Sequence, residues 1–432
     1  TPRLSLPEWG APLRSLINAA SGGRKSAAED PALEAARAEQ IAAALTRVSA
    51  DVKEAVFTDS SLQNLTVDYA KNAGSWNLSV ASDRIAGSVH YSSAAEGLLS
   101  LDMKRLSLSK NAVKVLKEFI EGPEAQNADG AAGTGSKPAV AAAHPRHLPR
   151  ISARIGELAY DGIKLGAAQL QTSVDRQGAA EGLHIDRATL SGPSGQLHAQ
   201  GNWTRSFAAG APDKTSLNLS WNIQNMGGLL SELGFPGVIQ NAGGQAAARL
   251  SFEGSPWSPR MDTLAGDLSI DFSKGSFIEV KTGPAGTLLS LLSFQSLLKR
   301  LTLDFSDLVQ EGFSFDRFTG TATIDKGVTV TDNTKVVGAQ ATVLISGAVD
   351  LARQRLNTHA VVLPDLNAGN ASLALAFVNP AVGIGSFLAQ LLLRDPLSRI
   401  FKVEYDITGS FDDPVITKVG EDKPQAGSGR RS

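Results

Sequence analysis

The residues able to do chemistry are few, and their spacing suits none. Only six histidines occur in 432 residues, and there is no cysteine. Thiol catalysis, disulfides and thiolate metal sites are thereby excluded. His144 and His147 stand three apart in a stretch of Ala, Gly, Pro and Ser. A zinc site needs three or four protein ligands, and no third is near, so both read as incidental. His184, His198 and His359 fall inside strand-like runs, where a lone histidine is structural or faces solvent. Gly192-Pro193-Ser194-Gly195 comes nearest to a nucleophile elbow, but its spacing is wrong and a proline stands where the turn must tighten. Asp304, Asp307, Glu311 and Asp316 interleave with Phe305, Phe313, Phe315 and Phe318. Acid–base work needs two carboxylates held across a substrate, so these acids read as the wet side of aromatic-faced strands. No glycine loop with a lysine and a hydroxyl is present to cradle phosphate. The chain therefore reads as no enzyme, with no cofactor and no metal.

What the chain repeats is apolar. Leu197 and Ala199 lead to Gly201 and Trp203; Leu250 and Phe252 to Gly254 and Trp257; Val343 and Ile345 to Gly347 and Val349; Tyr405 and Ile407 to Gly409 and Phe411. Gly254 and Gly409 are each followed by serine and, five residues on, by Pro259 and Pro414. Alternation with a period of two puts the large residues on one face of a strand. The net charge of -2 leaves no basic footprint, so nucleic acid is not an expected partner. Charged residues are 19% and glycines number 42, a profile of strands and turns. The first residue is Thr1, which reads as a piece of a longer or processed protein. No run of 18 apolar residues is present to span a bilayer as a helix.

Residues 1–60 read as helical, because Leu33 to Val56 is rich in Ala, Glu and Arg behind Asp30 and Pro31. Residues 61–121 open the β-array through Leu65, Val67, Trp76, Leu78, Val80, Val89, Leu99 and Leu101, and end in a short helix from Asn111 to Glu121. Residues 122–147 have almost nothing large to bury and read as a disordered linker. Strands resume over 148–418, with a helical turn from Met226 to Leu233, and 419–432 reads as a disordered tail. The pattern predicts a mainly β, antiparallel, strongly twisted sheet. Leu217, Leu219, Trp221, Leu250, Phe252, Leu268, Ile270 and Phe272 should share one face, and Phe313, Phe315, Val343 and Ile345 are further candidates for an apolar groove.

Two segments break the strand period. Residues 287–301 carry Leu288, Leu291, Leu292 and Phe294, closed by Lys299 and Arg300. Residues 380–393 carry Phe387, Leu388, Leu391 and Leu392, closed by Arg394. Each predicts a helix too apolar for a water-exposed surface and too short to span a membrane. Either they plug the ends of a sheet core, or they contact lipid near one end of the sheet with their cations at the headgroups.

The second half then resembles a known family. DFSKGSF at Asp271–Phe277, GPAG at Gly283–Gly286, LLSLLSFQSLLKRLTLDFSDL at Leu288–Leu308, EGFSFD at Glu311–Asp316 and TDN at Thr331–Asn333 are similar to the C-terminal part of the YhdP branch of AsmA-like proteins. SGAVDL at Ser346–Leu351, Val362-Leu363-Pro364, Asn379-Pro380 and YDITGSFDDP at Tyr405–Pro414 extend the likeness, as do SGPSGQLHAQGNW and FEGSPW upstream. The resemblance implies an elongated, twisted sheet curled into a U-shaped apolar groove with a few short α-helices. It implies phospholipid acyl chains as the cargo, moved between inner and outer membranes. It also implies a periplasmic location in a Gram-negative bacterium, an inner-membrane anchor outside this chain, and an outer-membrane surface or protein as partner. It carries over no catalytic residue. The alternative reading is an envelope scaffold or assembly factor that binds proteins through its sheet edges.

Overall fold

A computed structural model describes residues 3–5, 46–56, 61–94, 97–110, 148–177, 180–207, 211–232, 239–277, 313–339, 341–364, 402–411 and 413–420. The protein is mainly β, and its strands fall into two compact units. One comprises residues 1–193 and 198–213, the other residues 194–197 and 214–432.

The first unit holds β1 (Arg3–Ser5), β2 (Arg47–Val56), β3 (Ser61–Asn72), β4 (Ser75–Ala81), β5 (Ile85–Ser92), β6 (Leu98–Leu108), β7 (Arg150–Tyr160), β8 (Ile163–Gln177) and β9 (Ala180–Gly192), and β10 (Gly195–Ser206) contributes to both units. From β2 to β6, and again from β7 to β9, each strand is antiparallel to the next. β6 and β7 are parallel, and so are β1 and β2. A parallel pair needs a long return crossover, and the chain between Leu108 and Arg150 has the length for one. Where the chain re-enters, Leu148 is clamped. Its N–H donates to both carboxylate oxygens of Glu181 at 3.1 Å, and its carbonyl accepts from Arg176 Nη2 at 3.1 Å. Glu181 is 1% exposed and pairs with Arg176 Nε at 3.1 Å. Leu148, Leu183 and Trp203 pack into a small core beside this clamp.

One expectation is corrected here. Arg47–Val56, expected to end a helix, is strand. Val48, Ala50 and Val52 lie opposite Tyr69, Val67 and Leu65, and that pairing outweighs the helix propensity of Ala, Glu and Arg. The strands on either side of residues 122–147, β6 and β7, pair within one unit, and the two units part in sequence near residues 193–213.

The second unit is an antiparallel meander of β11 (Lys214–Ile223), β12 (Ile239–Glu253), β13 (Ala265–Phe277), β14 (Phe313–Asp325), β15 (Val328–Val337), β16 (Ala341–Asp350), β17 (Arg355–Pro364), β18 (Val403–Ser410) and β19 (Pro414–Lys418). Each strand pairs with its successor, and among the described residues β11 and β19 do not pair to close a barrel. The helical turn expected near Met226 is α1 (Met226–Glu232). Connections alternate between the two ends of the strands. At one end the turns are stitched together: Gly327 N–H donates to Leu264 O at 2.8 Å, Leu351 N–H to Gly327 O at 2.8 Å, and Phe411 N–H to Gln354 O at 3.0 Å. The other end carries α1 and the connections leaving Phe277 and Pro364. The expected helices at 111–121, 287–301 and 380–393, the linker, residues 6–45 and 421–432 lie outside the described residues.

The repeated glycines have a steric reason. Gly254 and Gly409 take φ of 106° and 98°, and a Cβ would lie 2.2 Å from Ser258 O or 2.5 Å from Asp413 O. Both end a strand in a turn that only glycine enters without strain. Gly347 has φ of 124°, while Gly201 takes no left-handed φ.

Candidate functional site

The register of the second unit builds one continuous apolar face. Leu217 lies opposite Leu250, Trp221 opposite Ala246, and Thr215 opposite Phe252. Ala246 lies opposite Ile270, Ala248 opposite Leu268, and Gly244 opposite Phe272. Further across, Leu268 faces Ala322, Phe318 faces Val336, Val336 faces Val343, Ile345 faces Ala360, and Ala360 faces Tyr405. The residues expected to share a face, Leu217, Leu219, Trp221, Leu250, Phe252, Leu268, Ile270 and Phe272, do share it. Along these strands the other face is polar, with Asn218, Ser220, Gln245 and Ser269 exposed. Ion pairs bridge neighbouring strands there, Arg249 to Asp267 at 3.0 Å and Arg317 to Asp271 at 2.7 Å. The hydrogen bond to Asp271 holds the Arg317 guanidinium above its ordinary pKa.

The face is not uniform along the strands. At the end carrying α1, Val336, Val343, Ala360 and Tyr405 are 0% exposed, and Ile223, Phe272, Phe277 and Phe315 join them in one cluster. Four phenylalanine rings meet in it, with centroids 5.1 Å apart for Phe277–Phe315 and 6.1 Å for Phe315–Phe318. Strict alternation would send Phe272 and Phe277 to opposite faces. Lys274 between them has φ of 55°, which interrupts the pleat. Gly275 clears the space, since a Cβ there would meet Phe315 Cζ at 2.4 Å. At the stitched end, Phe252, Leu264 and Ile324 form a smaller buried cluster. Between the two clusters the face is half-buried: Leu217, Leu219, Trp221, Leu250, Leu268, Ile270 and Ile345 all keep solvent access. The groove candidates therefore divide. Phe252, Phe272, Phe315 and Val343 are core residues, and seven of the other eight line the open part. Phe313 pairs with Phe277 through the backbone. The membrane-contact candidates from Leu288 to Arg300 and from Phe387 to Arg394 lie outside the described residues.

Near the α1 end both faces of the sheet are buried. Leu344 is 0% and Val361 2% exposed on the face opposite Val343. Lys335 is buried there too, and burial pushes its ammonium below the ordinary lysine pKa, partly offset by Asp332.

The first unit has a second apolar face that the candidate residues above did not include. Val48, Tyr69, Leu78, Val89, Leu101 and Ala153 form one cross-strand row, and Val67, Val80, Gly87, Met103 and Ile155 follow the same side. Of these only Met103 is buried. The alternation was legible in the sequence as strands. Its continuity across β6–β7 depends on a parallel pairing that alternation does not reveal.

The residues with chemical potential have local roles. The Ser194 hydroxyl donates to Glu232 on α1 at 2.8 Å. His359 Nδ1 lies 2.8 Å from Asp406, and His184 and His198 are exposed. Asp316 is exposed, while Asp304, Asp307, Glu311, His144 and His147 lie outside the described residues. Among the described residues no group of three His, Asp or Glu is placed to hold a metal, and no helix is long and apolar enough to cross a membrane.

No solved structure matches the chain. A curated relative, the "Intermembrane phospholipid transporter YhdP" of Escherichia coli (strain K12), is 32% identical over 274 residues, which is 63% of this chain and 21% of the relative. The chain thus spans about a fifth of the length of that relative. The family model described as "YhdP protein" matches residues 1–416. With a match over almost its whole length, and a sheet that keeps one long apolar face in each unit, the chain belongs to the YhdP family.

Proposed function

We propose that this chain is the C-terminal module of an inner-membrane-anchored periplasmic protein that moves phospholipid between the inner and outer membranes. Acyl chains travel along the half-buried apolar faces. The observation that carries the reading is the run of cross-strand apolar rows left with solvent access, Leu217 to Ile345 in one unit and Val48 to Ile155 in the other. A soluble sheet ordinarily covers such a face with a second layer. An acyl chain supplies that cover at about 0.8 kcal/mol per buried CH₂, with no need for a fixed headgroup site. The name of the Escherichia coli relative agrees in cargo and route. The connections leaving Phe277 and Pro364 emerge at the same end of the sheet, which supports placing the two apolar segments together at an exit toward the outer membrane.

The fully buried cluster around Val343 and Tyr405 favours a second role for that end, a dry scaffold that holds the conduit in shape. The test is extraction of the purified protein followed by mass spectrometry. Phospholipid at roughly molar ratio supports the conduit; lipid-free protein that still folds leaves the alternative, a non-transporting envelope scaffold or assembly factor that binds proteins through its sheet edges.

A further inference from the structure

Within that conduit reading, we propose that the first unit carries a headgroup rim. The row Lys71, Trp76 and Tyr91 receives the phosphate and glycerol of a phospholipid whose acyl chains lie on the adjoining aliphatic rows. Lys71 is directly opposite Trp76, Trp76 opposite Tyr91, and Tyr91 opposite Leu99. The Trp76 and Tyr91 rings stack with centroids 5.9 Å apart and planes 22° from parallel. Tyr69 extends the ladder, its ring centroid 6.4 Å from that of Trp76. All three rings are only half-buried. Tyrosine and tryptophan join an apolar ring to one polar atom, so they settle where an apolar layer meets a wet one.

Apart from Tyr69, the neighbouring rows are aliphatic. Leu78, Val89, Leu101 and Ala153 come next, then Val80, Gly87, Met103 and Ile155. Gly87 has φ of 148°, and a Cβ there would lie 2.6 Å from Met103 Cα, so the floor stays low at that point. Polarity thus falls along the strands, from the row that holds the cation and two rings, through the row that Tyr69 shares with Leu78, to the hydrocarbon of Val67, Val80, Met103 and Ile155. A glycerophospholipid is ordered the same way, from phosphate through glycerol esters to acyl chains. Lys71 is the one cation in these rows among the described residues, and it is half-buried with no described ion pair. Side chains directly opposite across an antiparallel pair lie about 4.5–5.5 Å apart at Cβ, so a phosphate beside the Trp76 ring is within reach of the Lys71 ammonium.

The test loads the whole chain from vesicles containing equal phosphatidylglycerol, phosphatidylethanolamine and diacylglycerol with the same acyl chains. Bound lipid is extracted and counted by mass spectrometry. Wild type should hold both phospholipids in preference to diacylglycerol. Lys71→Gln should lower that preference by about threefold, the scale of a partly exposed ion pair, with total bound lipid unchanged. Lys71→Arg should retain it. Trp76→Leu should also lower it, and its circular dichroism checks that the sheet persists. An unchanged ratio in Lys71→Gln overturns the rim and leaves the conduit standing. A wild type that takes up no lipid removes the conduit and the rim with it.

Discussion

Two residues on one face of the second unit should answer the same substitution in opposite ways. Val343 is 0% exposed, and Leu219 is half-buried on the open part of the face. An aspartate at position 343 has no route to water and no cationic partner among the residues of its cluster. Burying it costs several kcal/mol even after relaxation, a large part of the roughly 5–15 kcal/mol that holds a domain together. Val343→Asp should therefore unfold the second unit or leave it molten. At position 219 the carboxylate reaches solvent, so the loss is part of one leucine's burial, about 1–2 kcal/mol. For a unit of this size that lowers Tm by roughly 3–8 °C. Lipid feels the change more. A chain crossing Leu219 loses contact with about two CH₂ groups' worth of surface and must also desolvate a carboxylate, which together weaken binding at least about tenfold. The assay pairs far-ultraviolet circular dichroism melting with mass spectrometry of co-purified phospholipid. If Leu219→Asp unfolds as Val343→Asp does, the face is a closed core. If Leu219→Asp folds and keeps its full lipid load, acyl chains do not use this face.

Three other outcomes follow from particular contacts. Glu181→Ala orphans the buried Leu148 N–H, so the first unit should lose about 1–3 kcal/mol in a urea titration, with Glu181→Gln losing less. Asp350 accepts from the Arg353 backbone N–H and guanidinium, which lowers its pKa below the ordinary carboxylate value. Its contribution is therefore present above the unfolded-state pKa and lost as pH falls through the lower folded value; a carboxyl NMR titration of Asp350 with an ordinary midpoint would contradict this. Changing Leu291, Leu292, Leu391 and Leu392 together to Ser should reduce flotation with liposomes while β-sheet circular dichroism is kept; equal flotation would return the two apolar segments to the role of core plugs.

Alternation alone marked most of the strands and the side on which their large residues lie, because a period of two is a local property of the chain. It was enough to place Leu217, Trp221, Leu250 and Ile270 on one face before any pairing was known. Gly254 and Gly409 stood out as repeated positions, but that each takes a positive φ at a bent strand end is shown only by the structure. Composition argued against thiol and nucleic-acid chemistry for similarly local reasons. What alternation does not contain is how much of a face stays open. Phe252 and Leu250 look alike in sequence, yet Phe252 is buried with Leu264 and Ile324 while Leu250 keeps solvent access. That difference comes from residues distant in the chain. The same holds for Arg47–Val56, where good helix formers became a strand because β3 offered a partner. It holds for the parallel join of β6 and β7, which extends the first unit's apolar face through two strands that a 41-residue interval separates in sequence. Local patterning chose most of the elements and their greasy sides; only long-range pairing decided which sides were covered and which kept solvent access.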